Sequence, residues 1–272
     1  MYIRLDASLT LAPVTNKVPN VVQGNHPPFD YVVVATKNCP DIHPTVEEII
    51  APAVTEGYTV VVLIQNGINI EKPLIKAFPT NIILSGVSLI GTAEKGHGHI
   101  IHDDHDELIV GAFNNPGVSQ DAASAAAAEF VDMYRTSGKV KCVLNGDVGF
   151  VRWRKLVYNA TFNPVATILR MDTSRMRVAK FPIEALIKPA MWEIWNIAKA
   201  AGHPLPDGHV DKTVEADPFD VWCKPSMLQD AQKVRDRPYP VDSPFSTLLC
   251  EHSSDHHAGK LYRVREPCGR TD

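Results

Sequence analysis

The chain has 272 residues, a formal net charge of −4 at pH 7 and a pI near 6.3. Its content of 44% hydrophobic and 21% charged residues is typical of a soluble globular protein with one large domain or two ordinary ones. The slight acidity and the lack of a Lys- and Arg-rich block argue against a nucleic-acid partner. The longest apolar runs are too short to cross a membrane.

The cysteine pattern and the N-terminus both bear on the compartment. The five cysteines are widely spaced and form no C-x-x-C pair, which favours free thiols in a reducing environment. The first residues lack the basic segment and apolar core of a signal peptide. Together these features predict a cytoplasmic protein.

The first half of the chain predicts an α/β domain. A strand buried on both faces at Tyr31–Ala35, a helix over Thr45–Val54 and a second buried strand at Thr59–Ile64 have the pattern of a βαβ unit in a parallel sheet. A third strand is predicted at Ile82–Ile90 and an Ala-rich helix at Ala122–Tyr134. Between them, two segments are predicted to pair as a short hairpin or edge pair, His99–His102 and Leu108–Gly111.

Helical periodicity dominates from Phe150 onward. Three helices are predicted, over Trp153–Leu169, Ile183–Ala201 and Val221–Val234. The predicted fold class is therefore α/β plus all-α, with an incomplete Rossmann-like parallel sheet domain followed by a helical C-terminal domain. We place the boundary near Asn145-Gly146. The predicted parts are a partial dinucleotide-binding domain over 1–145, a helical substrate and catalytic domain over 146–233, and an irregular tail over 234–272.

One predicted helix carries three polar residues four positions apart, Lys155, Asn159 and Asn163. At about 100° per residue, each step of four turns by only about 40° from the same face. The face offers one cation and two amides, a set that suits a small oxygen-rich substrate that accepts a proton. Pro164 predicts a kink or helix end beside Asn163. The alternative is a solvated stripe on an amphipathic helix.

Polar residues also follow the predicted parallel strands. Lys37 ends the first strand and Asn66 the second, at the sheet edge where ligands bind in open α/β sheets. An exposed surface lysine is the alternative for Lys37. No G-x-G-x-x-G motif follows a strand in this sequence, so no cradle for a dinucleotide pyrophosphate is predicted.

A cluster of histidine and aspartate between His97 and Asp106 raises the alternative of a divalent metal site with hydrolytic chemistry. Adjacent ligands on one turn seldom converge on a metal, and Asp is common in polar hairpin turns. We therefore predict no catalytic metal. The histidines at 252, 256 and 257 are weaker candidates still.

Four segments together resemble the ketopantoate reductase (2-dehydropantoate 2-reductase) family, and its fungal members in particular. They are FDYVVVATK (29–37), VLIQNGI (62–68), WRKLVYNATFNP (153–164) and SMLQD (226–230). The resemblance implies a Rossmann domain and a helical domain with the active site between them. It implies reduction of a small 2-oxo acid, 2-dehydropantoate, to pantoate with NADPH, for pantothenate biosynthesis.

The resemblance also implies roles for individual residues. Lys155 matches the general acid, and Asn159 and Asn163 match amides that bind the substrate. Ser226 matches a serine that holds the substrate carboxylate. Asn66 matches an asparagine that contacts both cofactor and substrate.

On the cofactor side, Lys37 matches a lysine near the NADP.

Two departures from the family pattern give a second interpretation. The Gly-rich loop is missing, and the position of a glutamate expected twelve residues after Ser226 is Pro238. The alternative is therefore a truncated chain or a catalytically inactive remnant that keeps a packing or dimerisation function, with a homodimer left open.

Overall fold

The structure, a computed structural model, describes residues 15–24, 27–96, 99–102 and 104–236. Within these residues, no helix combines the length and apolar character needed to cross a membrane. Most of the predicted tail over 234–272, including its three histidines, lies outside the described residues.

Seven strands and nine α-helices are described. The strands are β1 (Tyr31–Val34), β2 (Val60–Leu63), β3 (Ile83–Leu89), β4 (Thr92–Gly96), β5 (His99–His102), β6 (Glu107–Ala112) and β7 (Lys141–Leu144). The helices are α1 (Val46–Ile50), α2 (Glu71–Ala77), α3 (Gln120–Tyr134), α4 (Val148–Asn159), α5 (Phe162–Leu169), α6 (Thr173–Ala179), α7 (Lys188–Ala200), α8 (His209–Val214) and α9 (Ser226–Asp236). A π-helical segment, Pro182–Ile187, leads directly into α7.

The main sheet has five strands in the order β1-β2-β3-β6-β7. β1, β2 and β3 are parallel, β6 runs antiparallel to β3, and β7 is parallel to β6. The centre of this sheet is shielded from solvent, since Val61, Val62 and Leu63 of β2 are all 0% exposed. This parallel-dominated sheet and the helices that follow it confirm the predicted fold class.

Two strand predictions were wrong in detail. β1 is not buried on both faces, because it lies at the edge of the described sheet and Val33 is 49% exposed. His99–His102 does not pair with the segment that contains Leu108–Gly111. The polar β5 pairs with β4 outside the main sheet, while the apolar β6 is buried beside β3. Only an apolar strand gains from a position covered on both faces.

The helical half has its own core, which is separate from that of the sheet. Its largest buried members include Val157, Phe162, Met176, Ile187, Met191 and Val210. α2, α6, α8, β4 and β7 were not predicted from the sequence, and each is short. The predicted division of the chain into parts at Asn145-Gly146 falls between β7 and α4 and stays a prediction.

The helix predicted over Trp153–Leu169 is two helices. The break lies at Ala160-Thr161 and not at Asn163, as Pro164 had suggested. The Thr161 hydroxyl donates to the Val157 carbonyl at 2.6 Å and so satisfies the end of α4. Pro164 occupies the first turn of α5. The backbone N–H groups of a first turn have no acceptor within the helix, so the missing N–H of proline removes no hydrogen bond there.

α4 lies directly against the sheet because Gly111 has no side chain. A Cβ at Gly111 would lie 1.9 Å from the Asn145 carbonyl oxygen and 2.7 Å from Val148 Cγ1. From this close approach the helix runs along β3. Arg152 lies beside Ser85, and Lys155 reaches Ser88 near the carboxyl end of the strand.

Candidate active site

A pocket opens where the carboxyl ends of β2 and β3 meet α4. The empty space in it, counted out into open solvent, is about 230 Å³. Its lining consists of Gln65, Asn66, Gly67, Val87, Arg152, Lys155, Leu156 and Asn159.

Lys155 contributes an ammonium group to the lining of this pocket. Its ammonium donates a hydrogen bond to the Ser88 carbonyl of β3, which leaves two N–H groups for other acceptors. Burial lowers the pKa of Lys155 to about 8, and the positive charge of Arg152 acts in the same direction. An ammonium with this pKa is charged at neutral pH and gives up its proton more readily than an exposed lysine.

The two predicted amides meet although they lie on different helices. Asn163 Nδ2 is 3.4 Å from Asn159 Oδ1. Asn159 lines the pocket, whereas Asn163 is not part of the lining and is only 6% exposed. Asn163 Oδ1 is buried and has no hydrogen-bond partner among the described residues. The buried Asn163 therefore carries an acceptor that the described residues do not use.

Asn66 is held at the pocket rim by the turn after β2. The residue is exposed, and Gly67 follows it with φ of 114°, a conformation that favours glycine. Asn66, Lys155 and Asn159 therefore line one pocket, as the crevice and helix patterns together had suggested.

Beneath this pocket lies a buried ion pair between Arg152 of α4 and Glu71 of α2. Arg152 Nε is 2.7 Å from Glu71 Oε1, and the two side chains are 4% and 0% exposed. Ser85 joins them, since its hydroxyl donates to Glu71 Oε1 at 2.6 Å and lies 2.7 Å from Arg152 Nε. The pair joins α4 to α2, and Ser85 links both helices to β3.

Lys37 and Ser226 lie elsewhere, outside the pocket lining. Lys37 forms a 2.6 Å ion pair with Asp230 of α9, with side chains 77% and 44% exposed. Ser226 is the first residue of α9 and is exposed. Ser226 and Asp230 are four residues apart and share a face of α9, so Ser226 lies on the side of α9 that meets Lys37. The roles predicted for both residues remain predictions.

No group of three or more metal-ligating side chains converges in the part of the chain that the structure describes. The histidines of β5 are spread along a two-stranded ribbon. His97 and Asp103 lie outside the described residues.

Two family models match the chain and together span more than half of it. The first, described as "Ketopantoate reductase PanE/ApbA", matches residues 5–115. The second, its C-terminal counterpart, matches residues 147–242. The chain belongs to the ketopantoate reductase family. The resemblance inferred from the four sequence segments is thereby confirmed.

Curated relatives agree with this family. An uncharacterised protein of Saccharomyces cerevisiae is 35% identical over 224 residues, which cover 75% of this chain and 62% of the relative. A 2-dehydropantoate 2-reductase of a Nostoc species is 26% identical over 219 residues, covering 79% and 66%. The chain thus spans less than two thirds of the length of these two relatives.

Solved structures of ketopantoate reductases share the fold. The enzyme of Methylococcus capsulatus is 30% identical with a TM-score of 0.61, covering 77% of this chain and 63% of that one. The enzyme of Geobacter metallireducens is 27% identical with a TM-score of 0.66, covering 83% and 71%.

Arg152, Glu71 and Ser85 were not identified from the sequence. Arg152 precedes Lys155 by three residues, so helical phase places both on one face. A charged residue among apolar ones was the available signal. Glu71 gave no such signal, because α2 is short and was not predicted. In this member of the ketopantoate reductase family, the buried ion pair beneath the pocket is evident only from the structure.

Proposed function

We propose that this protein reduces a small 2-oxo acid, with 2-dehydropantoate as the leading substrate, in an NADPH-dependent reaction. The observation that supports this proposal is the half-buried Lys155 ammonium, which shares a pocket with Asn66 and Asn159. Family membership agrees with a reductase of the 2-dehydropantoate type. The choice of NADP over NAD, and of 2-dehydropantoate among 2-oxo acids, is a proposal that goes beyond family membership.

The residues at the carboxyl edge of the sheet fit part of a nicotinamide cofactor. Asn66 presents an exposed amide, and Lys37 presents an exposed ammonium after β1. Both suit the oxygen-rich ribose and phosphate groups of such a molecule. Asn66 and Lys37 would hold the cofactor, which supplies the hydride when it is bound. A glycine-rich cradle for the pyrophosphate is not seen in the described residues.

Lys155 would supply the proton. As the carbonyl carbon is reduced, negative charge develops on its oxygen, and a nearby ammonium stabilises this charge and then transfers a proton to the oxygen. The Ser88 carbonyl fixes one N–H of Lys155 and thereby directs the other two. Water then returns a proton to the neutral amine.

The amides would orient the acid. Asn159 lines the pocket and would bind the substrate there. The unpartnered Asn163 Oδ1 would accept a hydrogen bond from a substrate hydroxyl that reaches beyond Asn159. We keep Ser226 as the group proposed for the substrate carboxylate, and this role needs α9 to lie closer to the pocket. A cytoplasmic location and a homodimer complete the proposal.

The direct test is to add NADPH and 2-dehydropantoate to the purified protein and follow nicotinamide absorbance, with NADH and other 2-oxo acids in parallel. We expect the fastest oxidation with NADPH and 2-dehydropantoate. Absence of turnover together with no saturable NADPH fluorescence change would exclude the reductase and support the inactive alternative.

The rate should depend on pH through Lys155. Its pKa is lowered to about 8, and the reaction needs the protonated form. We therefore expect kcat/KM to fall about tenfold per pH unit once the pH exceeds about 8. The measurement is a pH profile of the wild type beside Lys155→Arg, whose guanidinium keeps its proton in this range. If kcat/KM of Lys155→Arg falls above pH 8 in the same way as that of the wild type, the titrating group is not Lys155.

Asn163→Leu should separate binding from stability. The substitution removes a buried acceptor that has no partner and one long hydrogen bond to Asn159, so the free energy of unfolding should change little. We expect kcat/KM to fall about 10- to 100-fold because the substrate loses an amide contact. Urea unfolding and steady-state kinetics measure the two effects.

Asn81→Leu is the matched control. Asn81 is also a buried amide, but it donates to the Thr55 and Thr59 carbonyls at 2.9 and 2.8 Å, far from the pocket. This variant should lose stability and keep kcat/KM in the folded protein. Unchanged kcat/KM in Asn163→Leu would show that its amide does not contact the substrate.

A further inference from the structure

The Arg152 guanidinium binds the main chain on both sides of Asn66. We propose that Arg152 is a positioning residue, which holds the strand-end turn so that Asn66 and Lys155 face one substrate. This inference rests on the proposed reductase function, and it assigns Arg152 no contact with the reacting atoms.

The contacts to the turn are specific. Arg152 Nη1 donates to the Gln65 carbonyl at 2.9 Å and to the Gly67 carbonyl at 2.8 Å. These two carbonyls flank Asn66 in the chain, so one nitrogen fixes the peptide before and after the pocket amide. Arg152 Nη2 donates to the Gly86 carbonyl at 3.1 Å on the next strand. The turn is thereby tied to β3 as well as to α4.

The same guanidinium determines where Lys155 lies. Arg152 and Lys155 are three residues apart on α4 and share a helix face. Arg152 anchors this face at Ser85 and Gly86, and Lys155 then donates to Ser88 on the same strand. A shift of the Arg152 anchor would therefore move the ammonium and the amide relative to each other.

Only arginine supplies this set of contacts. Its planar fork carries five N–H donors, whereas lysine has three donors on a single nitrogen and cannot span carbonyls from two strands. Glu71, which is not part of the pocket lining, balances the charge of Arg152. Among the charged residues that line the pocket, Arg152 and Lys155 are both cations, so Arg152 also disfavours the protonated state of Lys155.

Three variants separate geometry, charge and folding. Arg152→Lys keeps the positive charge and loses the fork. The double variant Arg152→Met/Glu71→Leu removes both charges and leaves no buried carboxylate without a partner, which favours folding. Arg154→Met is the control, because Arg154 is an exposed cation on the same helix. Each protein is assayed for kcat, KM and thermal unfolding.

The second readout is independent of turnover. The rate at which acetic anhydride labels Lys155, measured by mass spectrometry against pH, reports the midpoint at which its amine loses the proton. We expect Arg152→Lys to lower kcat about 10-fold with KM within about threefold, because small misplacements reduce the rate more than binding. Its labelling midpoint should match that of the wild type.

In Arg152→Met/Glu71→Leu, kcat should fall at least as far, and the labelling midpoint should rise, because a positive charge near the Lys155 amine is removed. Arg154→Met should change neither. Wild-type kcat in Arg152→Lys, or a loss of kcat that merely follows the folded fraction, would overturn the inference. If the wild type itself reduces no 2-oxo acid, the reductase proposal fails. The labelling measurement then decides: if Arg152→Lys labels Lys155 at the wild-type rate across the whole pH range, the amine has not moved and the role of Arg152 is overturned.

Discussion

Replacing Lys155 with methionine is expected to lower kcat/KM by about 10²- to 10⁴-fold while the protein stays folded. The loss combines the missing proton donor with the missing charge opposite the developing oxyanion. Steady-state kinetics with NADPH and 2-dehydropantoate measure it. Arg154→Met removes an exposed cation from the same helix and should keep the wild-type rate.

The same substitution should make the protein more stable at neutral pH. The pKa of Lys155 is lower in the folded protein, about 8, than in the unfolded chain, so its charge opposes folding below that pH. Lys155→Met removes this cost and loses one hydrogen bond to Ser88, for a net gain of about 1–2 kcal/mol. The advantage should shrink as the pH rises from about 8 toward the ordinary lysine value near 10.4.

Urea unfolding of both proteins at several pH values tests this trend. A less stable Lys155→Met variant at pH 7 would show that the ammonium stabilises the fold and that its burial does not oppose folding. Full activity in that variant would remove Lys155 from the proposed mechanism.

Arg152→Met as a single substitution should be the most destabilising change considered, at about 3–5 kcal/mol. It leaves the Glu71 carboxylate fully buried with only the Ser85 hydroxyl as a donor. It also leaves the Gln65, Gly67 and Gly86 carbonyls without their donor. Denaturant unfolding followed by circular dichroism measures the change.

The surface pair between Arg135 and Asp132 provides the contrast. Its side chains are 58% and 66% exposed, and Asp132→Asn should change the free energy of unfolding by less than about 1 kcal/mol. Comparable losses in Asp132→Asn and Arg152→Met would contradict the view that burial makes the Arg152–Glu71 pair critical.

The sheet and the long helices could be predicted because they extend over enough residues to show a period. β2 and α3 have continuous apolar or alanine-rich segments, and both were predicted close to their observed bounds. The pairing of β5 with β4 could not be predicted, because pairing depends on which neighbour offers a buried position. Local sequence does not contain that information.

The candidate site was predicted in part for a similar reason. Lys155 and Asn159 lie on one helix, so their spacing alone places them together. Asn163 meets Asn159 across a helix break at Ala160-Thr161, whereas the sequence predicted the break beside Asn163. The contacts of Arg152 join residues 66 to 89 positions apart in the chain, and no pattern within a helix reveals them.

α4 begins where Gly111 lets it touch the sheet and then runs beside β3 toward the pocket. Lys155 therefore lies seven residues, about two turns or 10 Å, from a fixed starting point. An inserted residue before Val148 would leave this spacing intact, whereas one between Val148 and Lys155 would rotate the ammonium by about 100°. The helix acts as a spacer of set length, so changes in chain length are tolerated only outside it.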